Sequence, residues 1–130
     1  MKITEKHIAA AEKLEACRPA LKWLREKPRT LKELAAYRDD WAAWIVKYAP
    51  DAWAERAWSA LMSRPGGASE DILRYLVEYA PAAYADRAWS ALMSRPGGPS
   101  EASLRYIAIH ALAFADKANA ELARREARDG

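Results

Sequence analysis

Cysteine is nearly absent. Cys17 stands alone in 130 residues, so no disulfide can close within the chain, and with only His7 and His110 beside it there is no ligand spacing for a structural zinc. Phenylalanine is equally scarce, at one residue against six tryptophans and six tyrosines. A core needing only bulk could use Phe and Leu, whereas Trp and Tyr suit half-buried seams and interfaces where one end of the ring stays polar. Long apolar runs are also missing. Between Met1 and Glu15 the charges Lys2, Glu5, Lys6, Glu12, Lys13 and Glu15 break the pattern, which argues against a signal peptide, and no later run approaches the length of a membrane span. A cytoplasmic protein with no membrane partner is the expectation.

Neither sign of charge dominates. Lysine and arginine number 21 against 18 acidic residues, a formal charge of +3, which permits nucleic-acid contact without arguing for it. Hydrophobic residues make up 52% and charged residues 30%, so the chain has apolar surface to bury and lacks the composition of disorder. Its length suits one domain over residues 1–130, large enough to bury roughly two-thirds of the surface its unfolded form exposes.

The segment Tyr48 to Glu78, YAPDAWAERAWSALMSRPGGASEDILRYLVE, returns as Tyr79 to Ile109, YAPAAYADRAWSALMSRPGGPSEASLRYIAI, with 22 of 31 positions identical. This is a tandem duplication. Pro50 and Pro81 mark the start of each copy, because proline cannot continue a preceding helix and suits the beginning of the next. On a helical wheel Trp53, Ala54, Ala57, Trp58, Ala60, Leu61 and Met62 fill one half, and Glu55, Arg56, Ser59 and Ser63 the other. Arg64-Pro65-Gly66-Gly67 and Arg95-Pro96-Gly97-Gly98 then read as type II turns, whose second central residue needs positive φ. Ser69 and Ser100 follow as N-caps, with Glu70, Asp71 and Glu101 in the first turn of a second helix. In that helix Ile72, Leu73, Tyr75, Leu76 and Tyr79 share a face opposite Arg74 and Glu78. Each copy reads as an antiparallel helical hairpin.

Asp40 to Tyr48 matches Asp71 to Tyr79 in pattern, and both run into Tyr-Ala-Pro, so residues 1–47 hold a diverged copy behind an N-terminal helix that starts at Thr4 and Glu5, extends to about Ala16 and breaks near Pro19. Thr30 and Glu33 form a capping box in an insertion. No Gly or Pro interrupts the chain between Leu112 and Gly130, so the last helix is expected to run on through residues 110–130. Phe114, Ala118 and Leu122 are expected to cover Ile109 and Ala102, which replace Glu78 and Asp71. The predicted class is therefore all-α: a compact stack of antiparallel helical hairpins comprising repeats at 48–78 and 79–109, one diverged N-terminal copy and a long C-terminal capping helix.

No catalytic constellation is legible, and no cofactor or metal is implied: Glu, Asp and Ser sit at caps and solvent-facing positions without a spaced His or Cys partner. His110 replaces Tyr79 of the previous copy and reads as a packed residue. Protein binding leads, since stacked hairpins present an extended surface and this chain is rich in hot-spot residue types. The candidate contacts are Arg56, Arg64 and Arg74, which recur as Arg87, Arg95 and Arg105. Nucleic-acid binding by the same arginines is the alternative, opposed by the acids interspersed among them. Self-association as a homodimer is a second form of the leading reading. Trp53, Trp58, Tyr84 and Trp89 have the spacing of core residues, whereas Trp41 or Trp44 becomes the best anchor if either ring reaches the surface.

The run Ala16-Cys17-Arg18-Pro19-Ala20-Leu21-Lys22-Trp23-Leu24, followed by Asp40-Trp41-Ala42-Ala43-Trp44-Ile45, resembles an N-terminal pattern in small uncharacterised helical proteins of bacteriophages and prophages. It covers about the first third of the chain. The resemblance implies a phage or prophage setting inside a bacterial cell, in which small proteins without enzymatic activity act by binding a host or phage protein, counter-defence inhibitors of the anti-CRISPR kind among them.

Overall fold

A computed structural model describes residues 1–129 and, at position 51, the backbone alone. The described chain is all-α but for one two-residue ladder. In order it forms β1 (Lys2–Ile3), α1 (Glu5–Lys13), α2 (Arg18–Glu26), β2 (Arg29–Thr30), α3 (Leu31–Tyr37), α4 (Asp39–Tyr48), α5 (Asp51–Met62), α6 (Glu70–Tyr79), α7 (Ala82–Met93), α8 (Glu101–His110), a 3-10 turn (Leu112–Phe114) and α9 (Ala115–Asp129). The helices divide into two compact units, Met1–Ala68 and Ser69–Gly130.

Caps in the sequence set most of these boundaries. Ser69 Oγ accepts from the Ile72 N–H and Ser100 Oγ from the Ser103 N–H, at 3.3 and 3.1 Å, so α6 and α8 start at the same place in their copies. Thr30 Oγ1 accepts from the Glu33 N–H at 3.1 Å and donates to that carboxylate at 3.2 Å, making the insertion the helix α3. Thr4 caps α1 with His7, whose Nδ1 accepts from the Thr4 N–H at 2.9 Å. The helix ends earlier than its periodicity predicts, because Leu14 caps it and Glu15 turns left-handed at φ 63°.

In the first unit α4 packs along α5 and both pack on α3, around Leu34, Ala35, Ala42, Ala43, Val46, Ala57 and Leu61. The alanines let the helices approach closely. The ladder pairs Lys2 with Thr30 and Ile3 with Arg29, and the edge of His7 meets the Trp53 ring at 4.3 Å. In the second unit α6 packs along α7, α8 along α9, and α6 against α8; Leu73, Leu76, Ala88, Leu92, Leu104, Ile107 and Ala118 form its centre.

The most extensive pairings, α4 with α5 and α6 with α7, therefore cross the Tyr-Ala-Pro junction. Only Ala80 and Pro81 separate α6 from α7, whereas residues 63–69 separate α5 from α6. A two-residue link forces immediate reversal and leaves the helices side by side. The Pro-Gly-Gly turn has the predicted geometry nonetheless: Gly66 and Gly97 lie at φ 80° and 79°, and the Gly67 and Gly98 N–H groups donate to the Arg64 and Arg95 carbonyls at 2.7 Å.

Four expectations about particular residues change. The C-terminal helix is not continuous with α8, since the chain breaks at Ala111 without Gly or Pro and makes a 3-10 turn. At the end of that turn Phe114 is buried against Trp89, ring centroids 5.8 Å apart, and beyond it Ala118 lies in the core. The same turn carries α9 away from the outer face of α8, so Ile109 stays 70% exposed and Ala102 is exposed too. Tyr79 is 46% exposed, its expected place inside taken by Val77. His110 is likewise exposed, its ring against Tyr106 at 4.4 Å.

Glu121 anchors α9. It accepts from Arg124 and Arg125, while Arg125 Nη1 also donates to the Pro99 carbonyl at 2.6 Å. The hydrogen bond from Arg124 leads in drawing its carboxyl down from 4.5 to about 2, Arg125 adding to it and burial opposing. A depressed carboxylate stabilises the fold fully above its unfolded pKa and loses that contribution as pH falls through the folded value. Thermal melting should hold steady above about pH 5 and decline from there towards pH 2, and Glu121→Gln should flatten part of that decline.

The glycines give a second test. Nothing lies within 4 Å of a Cβ built on Gly66 or Gly97, so alanine there meets only the left-handed backbone penalty. Gly66→Ala and Gly97→Ala should each cost ~1 kcal/mol in urea unfolding.

Candidate protein interface

Aromatic residues gather where α2, β2, α3 and α4 meet. Trp23 stacks on Tyr37 with ring centroids 4.7 Å apart and planes 4° from parallel, and Trp41 lies 6.0 Å from Trp23 and 5.8 Å from Tyr37. Two cations join them. The Arg29 guanidinium sits 3.9 Å from the Trp23 centroid, its side chain only 11% exposed and its Nε donating to the Trp23 carbonyl. The Arg38 guanidinium lies 4.6 Å from the Trp41 centroid and is held by two hydrogen bonds to Asp40. The Arg38 hydrogen bond is the foremost cause of the lowered Asp40 pKa, so this pair stays ionised at neutral pH.

These contacts preorganise the cluster. Each ring is fixed by a neighbour and each guanidinium by an acceptor, so little side-chain entropy remains to be lost on binding. Tyr37 is 58% exposed, while Trp23 and Trp41 are half-buried. Behind them a mostly apolar cleft of about 220 Å³ is lined by Cys17, Leu24, Leu34, Trp41, Trp44 and Ile45. Aromatic rings held by their neighbours, flanking arginines and an adjoining apolar cleft thus lie together in the first unit.

The six duplicated arginines stand in differing surroundings within the two units. Arg64 Nη1 donates to Asp39 Oδ2 at 2.7 Å. Positions 39 and 64 lie 31 before 70 and 95, and Arg95 likewise pulls down the Glu70 pKa. Burial pushes Glu70 up, but hydrogen bonds from the Ser100 N–H and hydroxyl and from Ser103, with Arg95, outweigh it and leave the carboxyl lowered. Arg74 lies in the seam between α6 and α8, donating to Ser103 Oγ at 3.3 Å and sitting 4.9 Å from the Tyr106 centroid. Arg56, Arg87 and Arg105 are exposed; Arg87 lies over its own helix's Tyr84 and Arg105 pairs with Glu101. The four aromatics expected inside divide as well, Tyr84 being buried and Trp53, Trp58 and Trp89 half-buried.

A second aromatic pattern follows the duplication. Trp44 and Tyr48 lie 5.0 Å apart, Tyr75 and Tyr79 5.1 Å, and Tyr106 and His110 4.4 Å. Successive pairs are 31 residues apart, which places α4 as the second helix of an earlier, diverged copy. The fold is thus that of an all-α protein built from helical repeats. No family model, no curated protein and no solved structure matches the chain. Among the described residues no group of three or more His, Cys, Asp or Glu is placed to hold a metal ion, and no helix is long and apolar enough to cross a membrane.

Arg74 and Arg105 occupy one position of the repeat in different surroundings. Arg74→Ala should lower unfolding stability by ~1–2 kcal/mol, because it strips a donor from fully buried Ser103. Arg105→Ala should stay within about 0.5 kcal/mol of the parent protein. Equal losses would place both residues in the same role.

Proposed function

We propose that the protein works by binding another protein, with the Trp23, Tyr37 and Trp41 cluster and its flanking Arg29 and Arg38 as the anchor. The observation that carries this reading is the stacked, cation-backed ring set with Tyr37 largely in solvent beside an apolar cleft. Trp, Tyr and Arg dominate binding energy where they are rigid and can be desolvated. The nucleic-acid reading has less support. Arg64, Arg74 and Arg105 are engaged by Asp39, Asp71 and Glu101, and each such carboxylate opposes approach to a phosphate chain.

In the phage or prophage setting that the N-terminal pattern implies, the bound protein is a host defence component and the consequence is its inhibition. Wild-type protein immobilised in bacterial lysate should retain a defined partner. Tyr37→Ala should lose ~2 kcal/mol of affinity for it while melting like the parent, and Trp41→Ala should lose at least as much. Retention unaffected by both changes would remove the cluster from the interface. Titration with duplex and single-stranded DNA at two salt concentrations separates the alternative, since phosphate-driven binding weakens steeply with salt.

A further inference from the structure

The face of α6 that receives α8 reappears, exposed, on α8 itself. Along α6, Glu70, Arg74 and Glu78 lie one turn apart and hold the start of α8. Glu70 accepts from the Ser100 backbone N–H at 2.9 Å, from the Ser100 hydroxyl at 2.8 Å and from the Ser103 hydroxyl at 2.9 Å. Arg74 donates to Ser103, and Glu78 accepts from the Tyr106 hydroxyl at 2.6 Å. The duplication puts Glu101, Arg105 and Ile109 at those three positions of α8. There Arg105 folds back on Glu101, and both side chains are mostly in solvent. A groove of about 830 Å³ lies along them, bounded on the other side by Asn119, Leu122, Arg125, Glu126, Arg128 and Asp129 of α9.

We propose that this surface docks the N-terminal turns of a helix from a partner protein, entering on α8 as α8 enters on α6. The receiving groups specify the guest. Glu101 stands where Glu70 stands, so the guest offers a Ser or Thr N-cap and a second hydroxyl three residues on, with its unpaired N–H groups and positive dipole end towards the carboxylate. Arg105 then leaves Glu101 for that second hydroxyl, as Arg74 reaches Ser103. Ile109 replaces the acceptor Glu78, so the residue matching Tyr106 is aliphatic: a phenol would bury its hydroxyl unpaired, whereas Leu or Ile covers the exposed Ile109 side chain. A second copy of this chain does not fit. Its α8 carries the hydroxyl pattern but is already engaged on α6, and its α6 has Ile72 where the second hydroxyl is required.

The surface shares no residue with the aromatic cluster, so the two readings fail separately. The probe is a fluorescein-labelled peptide of residues 99–110 carrying Tyr106→Leu, held helical by an outward-facing side-chain crosslink and titrated into the intact protein by anisotropy. Saturable binding with a dissociation constant below ~1 mM is expected. Glu101→Gln in the protein, or Ser103→Ala in the peptide, should each weaken it ~10-fold through loss of a charge-assisted hydrogen bond. Ile109→Lys should weaken it comparably, and Tyr37→Ala should leave it unchanged. Because Glu101 and Ile109 are exposed, circular dichroism melting should not move. No saturation by ~1 mM, or binding indifferent to Glu101→Gln, overturns the proposal. So does a dimer in light scattering that Ile109→Lys dissolves, since the face then belongs to a second copy.

Discussion

The reversal that follows each second helix controls the rest of the architecture. At Ala49-Pro50 and Ala80-Pro81 the link is two residues long, too short for the next helix to do anything but lie back along its predecessor. The prolines, at φ −55° and −54°, end one helix and prepare the next without a lost hydrogen bond. At Ala111 the chain reverses with no proline. Burial of Phe114 and Ala118 supplies the drive there, at ~1.5–3 kcal/mol for a large apolar side chain. Proline thus encodes locally what the last copy achieves through packing, and α8 relates to α9 as α6 does to α7.

With neighbours placed in this way, α6 and α8 meet along polar positions. Glu70, Arg74 and Glu78 sit on what a wheel diagram shows as the solvent side of α6, yet they carry most of the bonds to α8. Buried polar groups are tolerable when every member has a partner. Here Ser103, with no exposed surface, has both Glu70 and Arg74, and among the described residues no buried side-chain polar atom lacks a hydrogen bond. Glu78 draws a hydrogen bond from Tyr106 whose formation, helped by burial, pushes that phenol up to about 12. A seam of this kind fixes register, because sliding α8 by one residue would separate several donors from their acceptors at once.

Helix type, turn chemistry and capping were legible in the sequence because each depends on neighbours a few residues away. Ser69, Ser100 and Thr30 cap as their positions predict, and Gly66 and Gly97 take the positive φ their turns require. Packing partners were less legible. Periodicity distinguishes apolar from polar sides of a helix but cannot say which polar side meets another helix, so Arg74 read as solvent-facing and Tyr79 as buried. The break at Ala111 left no local signal, since alanine is the best helix former and the cause lies in the contact of Phe114 with Trp89. The aromatic cluster was half visible. Trp41 and Trp44 were the two anchor candidates, on condition that a ring reached the surface, but Trp23, Tyr37 and Arg29 come together only when α2 and α3 fold past one another. The one sequence hint was an arginine close to each ring, Arg29 after Trp23 and Arg38 between Tyr37 and Trp41.

Duplication copies residues but not surroundings, and the arginines make the consequence concrete. Arg64 and Arg95 each have an acid from the first turn of a second helix to neutralise, Asp39 and Glu70. The position 31 residues after Arg95 is Glu126, not an arginine; its neighbour Arg125 turns to Glu121 and the Pro99 carbonyl, and Glu101 pairs with Arg105. On α6 the acid and arginine of this pair, Glu70 and Arg74, are turned to α8, whereas on α8 Glu101 and Arg105 are turned to each other. Identity between repeats thus marks positions bound by shared packing, while the same residues at the end of the array are released for other contacts. On α8 the corresponding acid and arginine pair with each other and stay mostly in solvent, beside the exposed Ile109.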